Sequence, residues 1–425
     1  MDYRQAVSFL ISHFPQYQKI GIEGYKPYPH RMQSLANWLD KPQEKYPCIH
    51  IAGTNGKGSV AHMLASVLQQ AGLRTGLYTS PHLLDFRERI KVNGQMIPGE
   101  DVVSFIERFK TERMDNLKEE LPSFFDMTTA MAFRYFADSK TDIAVIETGL
   151  GGRLDSTNIL TERSVLLSII TNIGLDHCDL LGDTIEKIAG EKAGIIKKEV
   201  PLVVGEYDSE AFPVLAQKAR DLGAPLYKAF ERPFQDYCLE GNTLYQQKNL
   251  RTSLCALDVL RAASPVYASL LTREVIAGGL ERFETMTGLH GRWERLGERP
   301  SVIADTGHNA HGMQYLKDQL AKESYRKLFF VFGVVQGKDL AQIAPLLPGN
   351  AYYFFTQASI PRALPHRQLS DWGKALGFQG EEVTTVKEAF EKAFKAASAE
   401  DLILVGGSTF TVADLMENFF CREEK

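Results

Sequence analysis

Along the first half of the chain, short, mainly apolar runs at 48–52, 75–79, 142–147, 165–172 and 201–205 alternate with longer stretches at about 58–70, 124–137, 184–197 and 209–221, in which apolar residues recur every three or four positions. Runs of the first kind suit strands buried on both faces, and the second kind suits helices lying on such a sheet. The pattern predicts a doubly wound α/β domain. A shorter series follows Gly291, with strands at 302–305, 328–334, 351–355 and 402–405 and helices near 312–322, 340–347, 388–397 and 412–419. It predicts a smaller C-terminal, Rossmann-like α/β domain. Between the two, 292–300 is polar and contains Gly297 and Pro300, as a linker should. The expected division is therefore a nucleotide-binding domain over 1–291, a linker over 292–300 and a second α/β domain over 301–425.

The turn between the first strand and the first helix carries the strongest functional signal. It reads Gly53-Thr54-Asn55-Gly56-Lys57-Gly58-Ser59. Backbone N–H groups collected at a helix N-terminus, where the macrodipole favours anions, suit a nucleotide phosphate. The strict Walker spacing is not met, because only Thr54 and Asn55 separate Gly53 from Gly56 and Gly58 parts Lys57 from Ser59. The chemistry survives: glycines admit φ > 0 and close approach, Lys57 supplies a point charge, and Ser59 offers a hydroxyl to a magnesium ion. This makes the first domain a P-loop type of nucleotide binder.

Composition narrows the partners of that site. The 425 residues are 44% hydrophobic and 24% charged, with a net charge of −5, which describes a folded globular chain without the broad basic surface of nucleic-acid binders. Any anion must be met locally. The five cysteines, Cys48, Cys178, Cys238, Cys255 and Cys421, are scattered with no C-x-x-C pair, so reduced thiols in the cytoplasm are expected. No signal layout and no long apolar stretch directs the chain to a membrane.

Active sites of open α/β sheets gather at the carboxyl ends of the strands, so the residues just after each apolar run are the remaining candidates. Thr79-Ser80-Pro81-His82 could present a hydroxyl to Mg²⁺ or be an ordinary Ser-Pro turn. Glu147, ending an apolar strand ahead of Thr148-Gly149-Leu150-Gly151-Gly152-Arg153-Leu154-Asp155, calls for a cation. His177, beside Asp176, is either a satisfied structural histidine or a ligand. On the following helix nothing local distinguishes Lys192 from its charged neighbours. The second domain offers Asp305-Thr306-Gly307-His308-Asn309 at its first strand end, with Lys338-Asp339 and Arg362 further on.

With these motifs assembled in this order, the chain resembles the folylpolyglutamate synthase/dihydrofolate synthase family, the folate branch of the ATP-dependent Mur ligases. The resemblance rests on residues 50–59, 78–83, 147–155, 174–177, 190–194, Gly291-Arg292 and Asp305-x-x-His308-Asn309. It implies that Gly53 to Ser59, with Asn249, Arg292, Asp305 and His308, bind ATP. Ser80, Glu147 and His177 are implied to hold Mg²⁺, at two sites, with Lys192 as a carbamate, and Lys57, Lys192 and His177 form the catalytic set. Ser123, Phe124, Phe125, Arg153 and Asp155 fall where the family holds the pterin. A flat pterin would stack on the phenylalanines, which could equally be plain core. Asp126 in place of Glu, Thr306-Gly307 in place of Gly-Ala, and the segment 24–28 depart from the family pattern and bear on the folate form preferred.

The activity implied is ATP-dependent addition of L-glutamate to a folate, and to dihydropteroate, through an acyl phosphate. A monomer is expected. The rivals are a cell-wall Mur ligase, disfavoured because only 47 residues precede the first strand, and a nucleotide-binding regulatory ATPase, which the acidic balance does not support.

Overall fold

The computed structural model describes residues 1–15, 29–114, 121–233, 237 and 243–420. The segment 24–28, Cys238 and Cys421 lie outside the described residues. The chain divides into two compact units, Met1–Leu289 and His290–Lys425.

The strands of the first unit are β1 (Cys48–Ala52), β2 (Thr75–Tyr78), β3 (Ile90–Val92), β4 (Gln95–Met96), β5 (Ile143–Glu147), β6 (Val165–Ile170), β7 (Leu202–Val204) and β8 (Leu226–Lys228). They form one sheet in the order β4-β3-β2-β5-β1-β6-β7-β8. All pairings are parallel except the added hairpin, in which β3 runs antiparallel to β2 and β4 antiparallel to β3. From β1 the chain passes over β5 to β2, returns to β5, and then crosses to β6 on the other flank. That reversal places the ends of β1, β5 and β6 side by side, the arrangement that opens a crevice for a ligand. In register, Ile51 of β1 faces Glu147 of β5.

Side-chain alternation explains the layering. Ile49, Ile51, Val145, Leu167 and Ile169 enter one apolar layer with Val60, Leu64 and Leu68 of helix Lys57–Gln70. Cys48, Tyr78 and Ile146 turn to the other face, against Met127, Met131 and Phe133 of helix Phe124–Asp138. Helices Leu244–Ala263 and Arg273–Glu281 join the first of these layers. The periodicity reading had left them out, because their polar residues interrupt the apolar stripe.

The second unit holds β9 (Glu294–Glu298), β10 (Ser301–Asp305), β11 (Leu328–Phe332), β12 (Tyr352–Phe355), β13 (Gln379–Glu382) and β14 (Leu402–Gly406), ordered β13-β12-β11-β14-β10-β9. The sheet is parallel apart from β9, which pairs antiparallel with β10. The stretch 292–300 is thus no free linker. Most of it is the edge strand β9, whose polar residues suit a partly exposed edge and whose Gly297 and Pro300 shape the return into β10.

Candidate functional site

β1 delivers the chain into the glycine turn, and Gly56 at φ +81° begins helix Lys57–Gln70 without any side-chain cap. The uncapped first-turn amides are left for an anion. Behind the turn, β6 laces it in place. Asn172 accepts from Thr54 N through its carbonyl (2.9 Å) and from Asn55 N through Oδ1 (2.9 Å). Thr171 Oγ1 donates to Asn55 O at 2.6 Å, and Thr54 Oγ1 exchanges hydrogen bonds with Gly174. Asn172 Nδ2 in turn donates to Glu206, which is ion-paired with Lys248 at 2.6 Å. Sequence reading missed Thr171, Asn172 and Glu206; their place just past apolar strands is the signal that could have found them.

Charge gathers in front of the turn. Lys57 Nζ donates to Gly53 O (3.1 Å) and Thr54 O (3.3 Å) and lies 4.0 Å from Glu147 Oε1. Glu147 Oε2 accepts from Ser80 N at 3.1 Å. A Cβ on Gly58 would stand 3.6 Å from that oxygen, so Glu147 faces the first helical turn. Ser59 is buried there and its hydroxyl has no hydrogen-bond partner, an orphaned oxygen of the kind a hard cation takes. Among the described residues no three His, Cys, Asp or Glu stand together to hold a metal. A hydroxyl and a carboxylate opposite a phosphate loop fit instead a Mg²⁺-type ion that shares its shell with phosphate oxygens.

Lys192 enters from the end of helix Ile185–Lys192, with Nζ donating to Gly53 O at 2.9 Å. Burial first, and the charge of Lys57 second, bring its pKa down to about 7. An amine so placed is partly neutral at physiological pH and nucleophilic. His177, in the left-handed region at φ +53°, keeps Nε2 3.8 Å from Asp176 Oδ2, and its own N–H donates to that carboxylate.

The turn after Glu147 folds around Asp155. Asp155 Oδ2 accepts from Gly149 N and Leu150 N, both at 2.9 Å, and Oδ1 accepts from Thr157 N and Thr157 Oγ1. Burial raises the Asp155 pKa, and the donors around its two oxygens oppose that by favouring the ionised form. Ser123 caps helix Phe124–Asp138 in a reciprocal box with Asp126. Phe124 lies in the core, with Phe86 edge-on at 5.9 Å. Phe125 presses on the turn, since a Cβ on Gly149 would meet its ring at 2.5 Å. Arg153 donates to Glu191 Oε1 at 2.8 Å. Of the five residues expected at the pterin, Ser123, Phe124 and Asp155 make these local contacts, and Phe125 and Arg153 border the turn.

Asn249 stands over the phosphate turn. A Cβ on Gly56 would come 2.3 Å from its Oδ1, while its Nδ2 donates to Gln246 Oε1. In the second unit, Asp305 ends β10 and accepts from Trp293 N (2.8 Å) and Gly307 N (2.7 Å). Arg292 Nη1 donates to Gly291 O, His308 Nδ1 lies 3.0 Å from Thr306 O, and Asn309 caps helix Ala310–Leu320. These residues form one cluster at the carboxyl edge of β10.

Comparison with known proteins agrees with this layout. Residues 51–255 match the Mur ligase middle domain and residues 291–409 the Mur ligase glutamate ligase domain. The dihydrofolate synthase/folylpolyglutamate synthase of Bacillus subtilis is 32% identical over 92% of this chain and 95% of that protein. The structure of Escherichia coli FolC in complex with DHPP and ADP superposes with a TM-score of 0.84 at 30% identity, over 98% of this chain and 97% of that one. The bifunctional folylpolyglutamate synthase/dihydrofolate synthase of Yersinia pestis complexed with AMPPNP and Mn ion gives 0.82 at 29%, over 99% and 98%. No helix among the described residues is long and apolar enough to cross a membrane.

Proposed function

Because this chain belongs to the folylpolyglutamate synthase/dihydrofolate synthase family of ATP-dependent Mur-type ligases, we propose that it adds L-glutamate both to dihydropteroate and to reduced folates, acting as a cytoplasmic monomer. The observation that carries this reading is the uncapped phosphate turn facing Glu147, with the buried Ser59 hydroxyl of its first helical turn unpartnered.

In this scheme the first-turn amides and Lys57 receive the phosphates of ATP, and Asn249 lies alongside them. A carboxylate oxygen of the pteroate or folate attacks the γ-phosphorus, the bond to the β-phosphate oxygen breaks, and ADP leaves. The amine of L-glutamate then attacks the acyl carbon, loses its proton, and expels phosphate as the amide forms. Ser59, Ser80, Glu147, His177 and carbamylated Lys192 would hold Mg²⁺ at two sites, where it would neutralise charge on the phosphoryl group. Phe125 and Arg153 would border the pterin.

The test offers dihydropteroate and tetrahydrofolate separately with ATP, Mg²⁺ and glutamate, follows ADP release, and weighs the products. Each acceptor should gain glutamyl units with one ADP formed per unit. Absence of glutamate-dependent ADP release with both acceptors would overturn the reading.

A further inference from the structure

His50 sits in the middle of β1 with no solvent exposure. Its strand neighbours Ile49 and Ile51 enter the layer under helix Lys57–Gln70, so by alternation the imidazole belongs to the opposite face. If packing alone mattered, an aliphatic side chain would be cheaper there, because a buried polar ring costs free energy unless it is hydrogen-bonded.

Its partner is Thr157, whose Oγ1 lies 2.8 Å from His50 Nε2. The Thr157 hydroxyl already donates to Asp155 Oδ1 at 2.5 Å, so its proton is spent and His50 Nε2 must be the donor. Burial, with Lys197 nearby, holds the His50 pKa well below its usual value, which keeps the ring in that neutral form. The other ring nitrogen, Nδ1, is buried without a partner. All the polar bonding of this side chain therefore runs towards Thr157 and Asp155.

Asp155 is the hub of the turn that follows Glu147. That turn touches three functional elements at once: it begins at Glu147, Gly149 packs on Phe125, and a Cβ on Gly152 would stand 2.9 Å from Lys192 O. We propose that His50 is a positioning residue which, through Thr157 and Asp155, sets the 149–152 turn and with it the place where the acceptor substrate meets the phosphate site. The assignment rests on the ligase reading above.

Three variants test it: His50→Leu, which removes the donor at similar volume; Thr157→Val, which breaks the chain one bond further on; and His50→Gln, whose Nε2 can replace the lost donor. The Leu and Val variants should lose roughly 10- to 100-fold in kcat/KM for the pteroate or folate acceptor, mainly through KM, with the affinity for an ATP analogue unchanged. Amide exchange at Gly149 and Leu150 should become about tenfold faster in the same variants, and His50→Gln should recover most of both effects. Unaltered kcat/KM and exchange in the Leu and Val variants, or a Gln variant as damaged as Leu, would overturn the proposal. Should His50→Leu not fold, Thr157→Val carries the same decision. A wild-type protein without glutamate-dependent turnover would instead count against the ligase reading, and the exchange measurement would still decide the relay.

Discussion

Lys192→Ala is expected to lower kcat on the order of 10²- to 10³-fold, the scale seen when a preorganised electrostatic group is removed from a reacting centre. Lys192 is the least conventional member of the site, a buried lysine beside the cation of Lys57. Its Nζ is buried, donates to the carbonyl of Gly53 and feels the charge of Lys57. A permanently protonated lysine would repel the metal ions that accompany a triphosphate. With a pKa brought down to about 7, a large fraction is neutral amine at physiological pH, able to attack CO₂. A carbamate formed there would exchange a cation for an anion with two oxygen acceptors, the amine's proton passing to solvent. Alanine would leave a cavity of about the length of the lost chain, so acetate or formate supplied in solution should restore part of the rate. Unchanged turnover in the variant would remove the carbamate from the mechanism. A loss that no small acid relieves would restrict Lys192 to holding the Gly53 carbonyl.

Gly56→Ala is expected to weaken nucleotide affinity at least as severely, by a different route. Gly56 sits at φ +81°, where a side chain costs about 1–2 kcal/mol, and its new Cβ would approach Asn249 Oδ1 to 2.3 Å. Asn249 would have to move, or the turn would have to open, and either change shifts the amides that face the phosphates. A displacement near 1 Å at such a site costs on the order of 10²-fold. Titration with a non-hydrolysable ATP analogue reads this directly, beside a thermal melt that separates lost binding from lost folding. Wild-type affinity in a folded variant would mean that the phosphates are held elsewhere.

The parts of this protein that could be read in advance are those where one local pattern had one physical meaning. The run 48–52 is apolar but for His50 and became β1 with those bounds. The five strands expected in the first sheet all form, four of them shorter than expected by one or two residues. The edge strands were invisible for the converse reason. β13 is Gln-Gly-Glu-Glu and β9 is mostly polar, because a strand with one open edge need not be apolar. In the site, Glu147 was legible because a carboxylate ending an apolar strand demands compensation. Lys192 was not, since its charge looks like any other on an amphipathic helix until the fold buries it. Asp155 and Ser123 show the opposite limit: motif position marked them, while their hydrogen bonds run to the backbone and side chains of their own turns. Only a three-dimensional arrangement reveals which polar side chains face outward to a guest and which face inward to the scaffold.

Lacing the glycine turn to β6 through Thr54, Asn55, Thr171 and Asn172 has a kinetic consequence. Its amides stand in their final orientation before any nucleotide arrives, so docking spends little entropy on ordering the receptor. Capture should then follow simple one-step, collision-controlled kinetics, with the observed rate rising linearly in nucleotide concentration and no plateau from a slow rearrangement of this turn.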